Sequence, residues 1–272
     1  MSYRAIIESY YPSLTKGEQR VADYILKNEQ NVIYQSLKEI SKSIGVGEAT
    51  VIRFCNKIGL TGFQELKLML AKESSDNEDG FPDNYIDKVT DNIINAINKT
   101  KDLLDVDLLN EVADLIYKGK RILIYGVGSS GIAAQDMQSK LLRYGKFSLS
   151  VTDAHYQLMN SATLAKEDLV IAFSLSGYTE DIIDSVKLAK ENNATIVAIC
   201  NHILSPVAEM ADFTILTAGK ESPFEGGSLA GKISQEYITD LICTTYATRY
   251  KDEASQMRLK TSKSISHKTK EV

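Results

Sequence analysis

Through the first 72 residues, apolar side chains recur at helical spacing between short polar connections, with almost no strand-like alternation. Thr15-Lys16-Gly17-Glu18 has the Thr-x-x-Glu form of a capping box, in which two side chains satisfy backbone N–H groups at a helix start. It predicts a helix to about Lys27 with Val21, Ala22, Ile25 and Leu26 on one face. Ser36-Leu37-Lys38-Glu39 repeats the device and opens a second helix to about Ile44. Gly45-Val46-Gly47 interrupts the chain, 48–58 predicts a third helix ended by Gly59, and 63–72 predicts a fourth. The next ten residues are polar and acidic, broken by Gly80 and Pro82, and predict a linker. Helical spacing returns over 84–118, as two helices meeting near Asp105.

From Arg121 the pattern changes to short β-rich runs alternating with helical stretches. The runs are Ile122–Tyr125, 147–151, Leu169–Phe173, 196–200 and Phe213–Leu216; helices are expected over 132–144 and 180–192 between them. That alternation predicts a parallel sheet with helices on both faces. A last amphipathic helix is expected over 229–250, and the polar, Lys-rich tail is assigned no structure. The expected fold is an all-α helix-turn-helix domain (1–75), an acidic linker (76–84), and a doubly wound α/β domain with a five-stranded parallel sheet (85–250), followed by the tail (251–272).

Composition narrows the setting. A hydrophobic share of 43% supports sizeable cores without staples, and the apolar runs fall far short of the roughly 20 residues of a membrane span. No basic patch followed by an apolar stretch opens the chain, so no signal peptide is read. Three cysteines without paired spacing predict neither zinc nor a disulfide framework, and a reducing, cytoplasmic setting follows. The net charge of −5 argues against nucleic-acid binding for the chain taken whole. Residues 1–72, however, hold ten Lys and Arg against seven Asp and Glu, the sign expected of a DNA-binding head on an acidic body.

Two helices joined by a tight glycine turn are a helix-turn-helix candidate, with Ile40, Ile44, Val51 and Phe54 as its small core. Thr50, Arg53 and Lys57 are expected outward, offering a hydroxyl and two cations to phosphates or base edges. Glu48 and Ala49 stand where a recognition helix touches bases. A small helical docking or dimerisation domain fits the same spacing.

Two loops of the body carry candidate chemistry. The first run leads into Gly126-Val127-Gly128-Ser129-Ser130-Gly131 and then a helix, the Gly-x-Gly-x-x-Gly form of a dinucleotide site, and Asp153 lies 22 residues after Gly131, where a ribose-binding acid stands. The third run ends in Ser174-Leu175-Ser176-Gly177-Tyr178-Thr179 at another helix start. Hydroxyls and N–H groups gathered there suit the oxygens of one terminal phosphate, which a dinucleotide fold has no need of on a second strand. With Ser129 and Ser130 opposite, the expected ligand is a phosphomonoester with a polyol body. Helix capping is the alternative for each hydroxyl alone.

These residues also resemble a known family. Leu14-Thr15, Glu18, Val21-Ala22-Asp23-Tyr24-Ile25, Ser36-Leu37 and Ile40 resemble the N-terminal domain of the RpiR family of sugar-phosphate-responsive regulators. So do Ala49-Thr50-Val51-Ile52-Arg53-Phe54-Cys55 and Gly59-Leu60-Thr61-Gly62-Phe63. Gly47 departs from the family, which usually has Ser as the recognition-helix cap there. The body resembles the sugar isomerase (SIS) domain that accompanies this head, through Ser174-x-Ser176-Gly177-x-Thr179 and Gly126-x-Gly128-x-Ser130-Gly131.

The resemblance implies phosphate contacts from Ser174, Ser176 and Thr179, with Ser129 and Ser130 near the sugar. Asp153-Ala154-His155 also matches a family pattern and reaches sugar hydroxyls on that reading; capping by Asp153 with His155 exposed is the alternative. Glu221 lies where related domains place a ligand-facing carboxylate. Gly231-Lys232 and Glu225 depart from the family's Ser-Arg and Arg, which leaves the sugar open.

The expected function is a transcriptional regulator on a palindromic DNA operator, a homodimer or larger, controlled by a phosphorylated sugar and needing no cofactor or metal. The alternative is a phosphosugar isomerase with an accessory helical domain, for which Glu221, Glu180 and His155 are the available acid–base groups.

Overall fold

The computed structural model describes residues 3–76, 85–219 and 229–266. The chain divides into two compact units, the first ending at Thr90 and the second opening at Asp91.

The first unit is helical: α1 (Tyr3–Tyr10), a 3-10 turn, α2 (Lys16–Lys27), α3 (Glu29–Val32), α4 (Leu37–Ile44), α5 (Glu48–Lys57) and α6 (Phe63–Asp76). Both capping boxes form: Thr15 and Ser36 accept from the backbone N–H of Glu18 and Glu39, whose carboxylates accept in return. Ile7, Val21, Ile25, Ile40, Val51, Phe54 and Leu66 are wholly buried together. Helices α1 and α3 were not expected; each is a short stretch, and α1 joins the core through Tyr3 and Ile7, one helical turn apart. Helix α6 runs four residues beyond the expected end. An established helix gains a backbone bond with each added residue, and Glu73-Ser74-Ser75-Asp76 contains no breaker. The rest of the expected linker, 77–84, lies outside the described residues.

The α/β part comprises α7 (Tyr85–Asp102), α8 (Val106–Lys118), β1 (Ile122–Tyr125), α9 (Ser129–Arg143), β2 (Leu149–Val151), α10 (Ala154–Ser161), β3 (Leu169–Phe173), α11 (Glu180–Glu191), β4 (Thr195–Cys200), α12 (Pro206–Met210), β5 (Phe213–Leu216), α13 (Leu229–Arg249) and α14 (Lys251–Ile265). Asp105 caps α8, at the expected meeting point of the first two helices. All five strands are parallel, in the order β2-β1-β3-β4-β5. Alternate residues serve opposite faces. Ile122, Ile124, Ile171 and Phe173 join the layer of α8, α9 and α13, while Leu123, Tyr125, Val170 and Ala172 join that of α11 and α12. Strand order reverses between β1 and β3, so their carboxyl ends flank the crevice where open parallel sheets bind ligands.

Two expectations need correction. Strand β2 starts at Leu149, not at 147: its pairing with β1 covers only Leu123–Tyr125, and Phe147 is 80% exposed. The tail is not without structure. Its α14 buries Ala254 in the body's core, sets Met257 against Gly145, and donates from Thr261 Oγ1 to the carbonyl of Arg143. Only that thin stripe faces inward and the other positions are mostly exposed, so the hydrophobic pattern carried little signal.

All three cysteines are buried free thiols. Burial pushes Cys55 and Cys243 up to about 12 and raises Cys200 as well. Among the described residues, no group of three His, Cys, Asp or Glu is placed to hold a metal, and no helix is long and apolar enough to cross a membrane.

Candidate functional site

The head's candidate nucleic-acid interface is built around the turn between α4 and α5. Gly45 takes a left-handed φ of 70°, its N–H bonding to Lys42 O, and the N–H of Val46 reaches back to Ser41 O at 3.0 Å. This pairing satisfies the last carbonyls of α4 and turns the chain sharply. Ile40, Val51 and Phe54 are buried beneath it, and Ile44 is half-buried against them, which sets α5 across α4. Gly17 admits a close crossing of α2 and α5: a Cβ there would lie 3.2 Å from Thr50 Cγ2.

On the outer side of α5, Glu48, Ala49 and Arg53 are exposed and Thr50 is half-buried. Arg53 donates to Thr50 Oγ1 at 3.2 Å, which holds the guanidinium over the first turns of the helix. Lys57 is placed differently. Its ammonium donates to Ser13 O at 2.6 Å and to Glu18 Oε2 at 3.1 Å, so this cation ties α5 to the start of α2. The Thr15 N–H, with help from Lys57, holds the Glu18 carboxyl below its usual range, against the opposing effect of burial.

In the body, the loops after β1 and β3 stand at the carboxyl ends of neighbouring strands. Gly126 and Gly131 are required by space. A Cβ on Gly126 would lie 2.5 Å from Ser130 O, and one on Gly131 would lie 2.9 Å from Thr152 Cγ2. Gly128 is required by its φ of 56°. The glycine pattern is thus explained by a tight strand-to-helix turn. Ser129 is half-buried at the first position of α9; Ser130 is buried and accepts from Gln235 Nε2 of α13 at 3.1 Å.

After β3, Ser174 is buried and donates to Thr179 Oγ1 at 3.2 Å, while the half-buried Ser176 accepts from the N–H of Tyr178 at 3.2 Å. Thr179 is the N-cap residue of α11, yet its side chain makes no capping bond. Ser176 and Thr179 act as acceptors in these bonds, and an accepting hydroxyl retains its own proton to donate. Gly177 adopts φ 72° directly against Ser205. The result is a turn of three hydroxyls and backbone N–H groups at a helix N-terminus, with the character of an anion cradle.

The other expected site residues are placed as follows. Asp153 accepts from the N–H of Tyr156 at 3.0 Å as the cap of α10, and His155 is exposed, the arrangement of the capping alternative. Glu221 and Glu225 lie outside the described residues. The structure adds residues that the spacing did not single out: Gln235 donates to Ser130 of the first loop, and Asn201, whose N–H donates to Leu175 O of the second, is bonded in turn by Thr217. Their signal is weak, because lone polar residues at strand ends and on helices are common.

The comparisons with known proteins agree with this architecture. The model of the helix-turn-helix domain, rpiR family, matches residues 1–77, and that of the SIS domain matches residues 115–242. An HTH-type transcriptional regulator of Haemophilus influenzae is 38% identical over 94% of this chain and 93% of its own. The HTH-type transcriptional regulator RpiR of Escherichia coli is 28% identical over 86% and 82%. Among solved structures, Vibrio vulnificus NanR complexed with ManNAc-6P superposes with a TM-score of 0.85 at 25% identity, covering 98% of this chain and 99% of that one. The sugar isomerase domain of an RpiR transcription factor from Sphaerobacter thermophilus shares the fold of the body, with a TM-score of 0.59 over 65% of this chain. Domain order, helix-turn-helix geometry and near full-length similarity converge: the chain belongs to the RpiR family of helix-turn-helix transcriptional regulators, with an SIS domain as its body.

Proposed function

We propose that this regulator binds a palindromic operator as a homodimer in the cytoplasm, and that a phosphorylated sugar held at the turn after β3 controls its affinity for DNA. The observation that carries the reading is that turn: Ser174, Ser176 and Thr179 gathered around Gly177 at the switch point of the sheet. The similar NanR structure holds a sugar phosphate, which supports the assignment of effector class. In the head, Thr50 and Arg53 offer donors to phosphates and base edges, with Glu48 and Ala49 at the entering end of α5. Lys57 lies at the margin of this interface, its charge shared with Glu18.

Ser129 faces the sugar in this proposal, and Ser130 orients it through Gln235. On the family resemblance, Asp153, His155 and Glu221 are the further candidates for contacts to the sugar. The body acts as a sensor, not as an isomerase. The effector's influence on DNA is bounded by its preference between two arrangements of the dimer.

The test uses a panel of amino-sugar, hexose and pentose phosphates, read by melting temperature and by turnover, with an operator obtained by in vitro selection. One class should raise the melting temperature without being converted and should change operator affinity. Ser176→Ala with Thr179→Ala should abolish that response while operator binding survives. Arg53→Ala should weaken operator binding by about ten- to a hundredfold and leave the melting response intact. Turnover of the sugar phosphate, or a response that survives the double substitution, would overturn the reading.

A further inference from the structure

Beyond the cradle, a short segment links it to a distant helix. As the chain leaves β5, residues 217–219 make polar contacts with four residues elsewhere in the body. The N–H of Thr217 bonds to Cys200 O at the end of β4. Thr217 Oγ1 donates to Asn201 Oδ1 at 2.6 Å, and Asn201 Nδ2 donates to Gly219 O at 2.6 Å. Ser234 of α13 donates to Ala218 O at 2.7 Å. On the other side, the N–H of Ala218 donates to Thr100 Oγ1 at 2.9 Å.

Asn201 also connects the segment to the cradle, because its own N–H donates to Leu175 O at 2.8 Å. The side chain of Leu175 is held as well: a Cβ on Gly231 of α13 would fall 2.3 Å from Leu175 Cδ2. Gly231 in turn touches Gly219, where a Cβ would lie 2.5 Å from Gly231 Cα. Leu175 sits between Ser174 and Ser176, so a shift of the cradle displaces a residue gripped at both carbonyl and side chain. Close-packed groups of this kind pass displacement on instead of absorbing it.

Thr100 stands at the far end of this chain of contacts. It is completely buried near the end of α7, one turn after the buried Ala96, and α7 is the helix that follows the head in the chain. We infer that Thr100 is the joint through which occupancy of the turn after β3 reaches α7, with Asn201 as the positioning residue between them. The inference rests on the sensor reading above. Each step of the route is a hydrogen bond or a contact with no spare room.

The decisive quantity is the ratio of operator affinities with and without the sugar phosphate that gives the largest melting shift in the panel. Thr100→Val keeps the shape and removes the acceptor. Wild-type protein should show a ratio of about tenfold or more. Thr100→Val should keep sugar-phosphate and effector-free operator affinities within about threefold, yet its ratio should fall below about threefold; Thr100→Ser should restore it. A purely structural role would lower the melting temperature and leave the ratio unchanged, so a Thr100→Val protein with the wild-type ratio overturns the joint and spares the sensor.

Absence of any wild-type ratio overturns the sensor reading and the joint together. Should Thr100→Val fail to fold, hydrogen exchange on the wild-type chain decides. The sugar phosphate should change exchange at the amide of Ala218 and along 91–102, and protection confined to 174–179 would overturn the joint.

Discussion

Gly177 adopts φ 72°, and a Cβ there would stand 2.1 Å from Ser205 Oγ and 2.4 Å from Ser205 Cβ. An alanine would meet both penalties, the left-handed backbone and the collision. Gly177→Ala should therefore destabilise the body by about 2 kcal/mol or more and weaken sugar-phosphate binding. In a Ser205→Gly background, which gives up the Ser205 cap of α12 but removes the collision, Gly177→Ala should cost only about 1 kcal/mol, for the backbone. Paired thermal melts check this; an undiminished cost in that background would mean the collision is not what the glycine avoids. At this scale the sequence was readable where a residue type has few uses. The cluster of Ser, Gly and Thr after β3 was visible because no ordinary turn needs so many hydroxyls. Ser130 and Lys57 were harder, because their partners Gln235 and Glu18 lie 105 and 39 residues away.

Helix ends were the most legible elements. Both capping boxes and the glycine turn between α4 and α5 depend on residues within a few positions of one another, and local chemistry decides them. Gly47 is the weak point of that turn. It caps α5 with no side-chain bond, at an ordinary φ of −72° and with open space where a Cβ would stand. Gly47→Ser should raise the melting temperature of the head, by a few tenths of a kcal/mol in stability, about the difference between a glycine and a serine cap. An unchanged or lowered melting temperature would show that the serine hydroxyl does not cap the first turn of α5. Elements stabilised from a distance were poorly legible by comparison. Helix α14 depends on contacts with Gly145, Arg143 and the body's core, and its own sequence shows one thin inward stripe. The limits of β2 depend on how much of β1 is available to pair with it.

For the whole molecule, the change from helical to alternating pattern near Arg121 was enough to give a parallel sheet after a helical head, since periodicity averages over many residues. The order of the strands and the segment joining Leu175 to Thr100 were out of reach, because both arise from pairings between distant stretches of chain. The buried thiols have a practical consequence at this scale. Because Cys55, Cys200 and Cys243 are buried and held protonated at neutral pH, maleimide and nitroxide reagents should leave the native protein largely unlabelled. A new cysteine at the exposed Arg20 of α2 would then be the reactive position, and the proposed homodimer would carry one spin label on each head. Pulsed dipolar spectroscopy on that variant should give an inter-label distance that shifts when the sugar phosphate is added. An identical distance distribution in its presence and absence would rule out repositioned heads as the means of control.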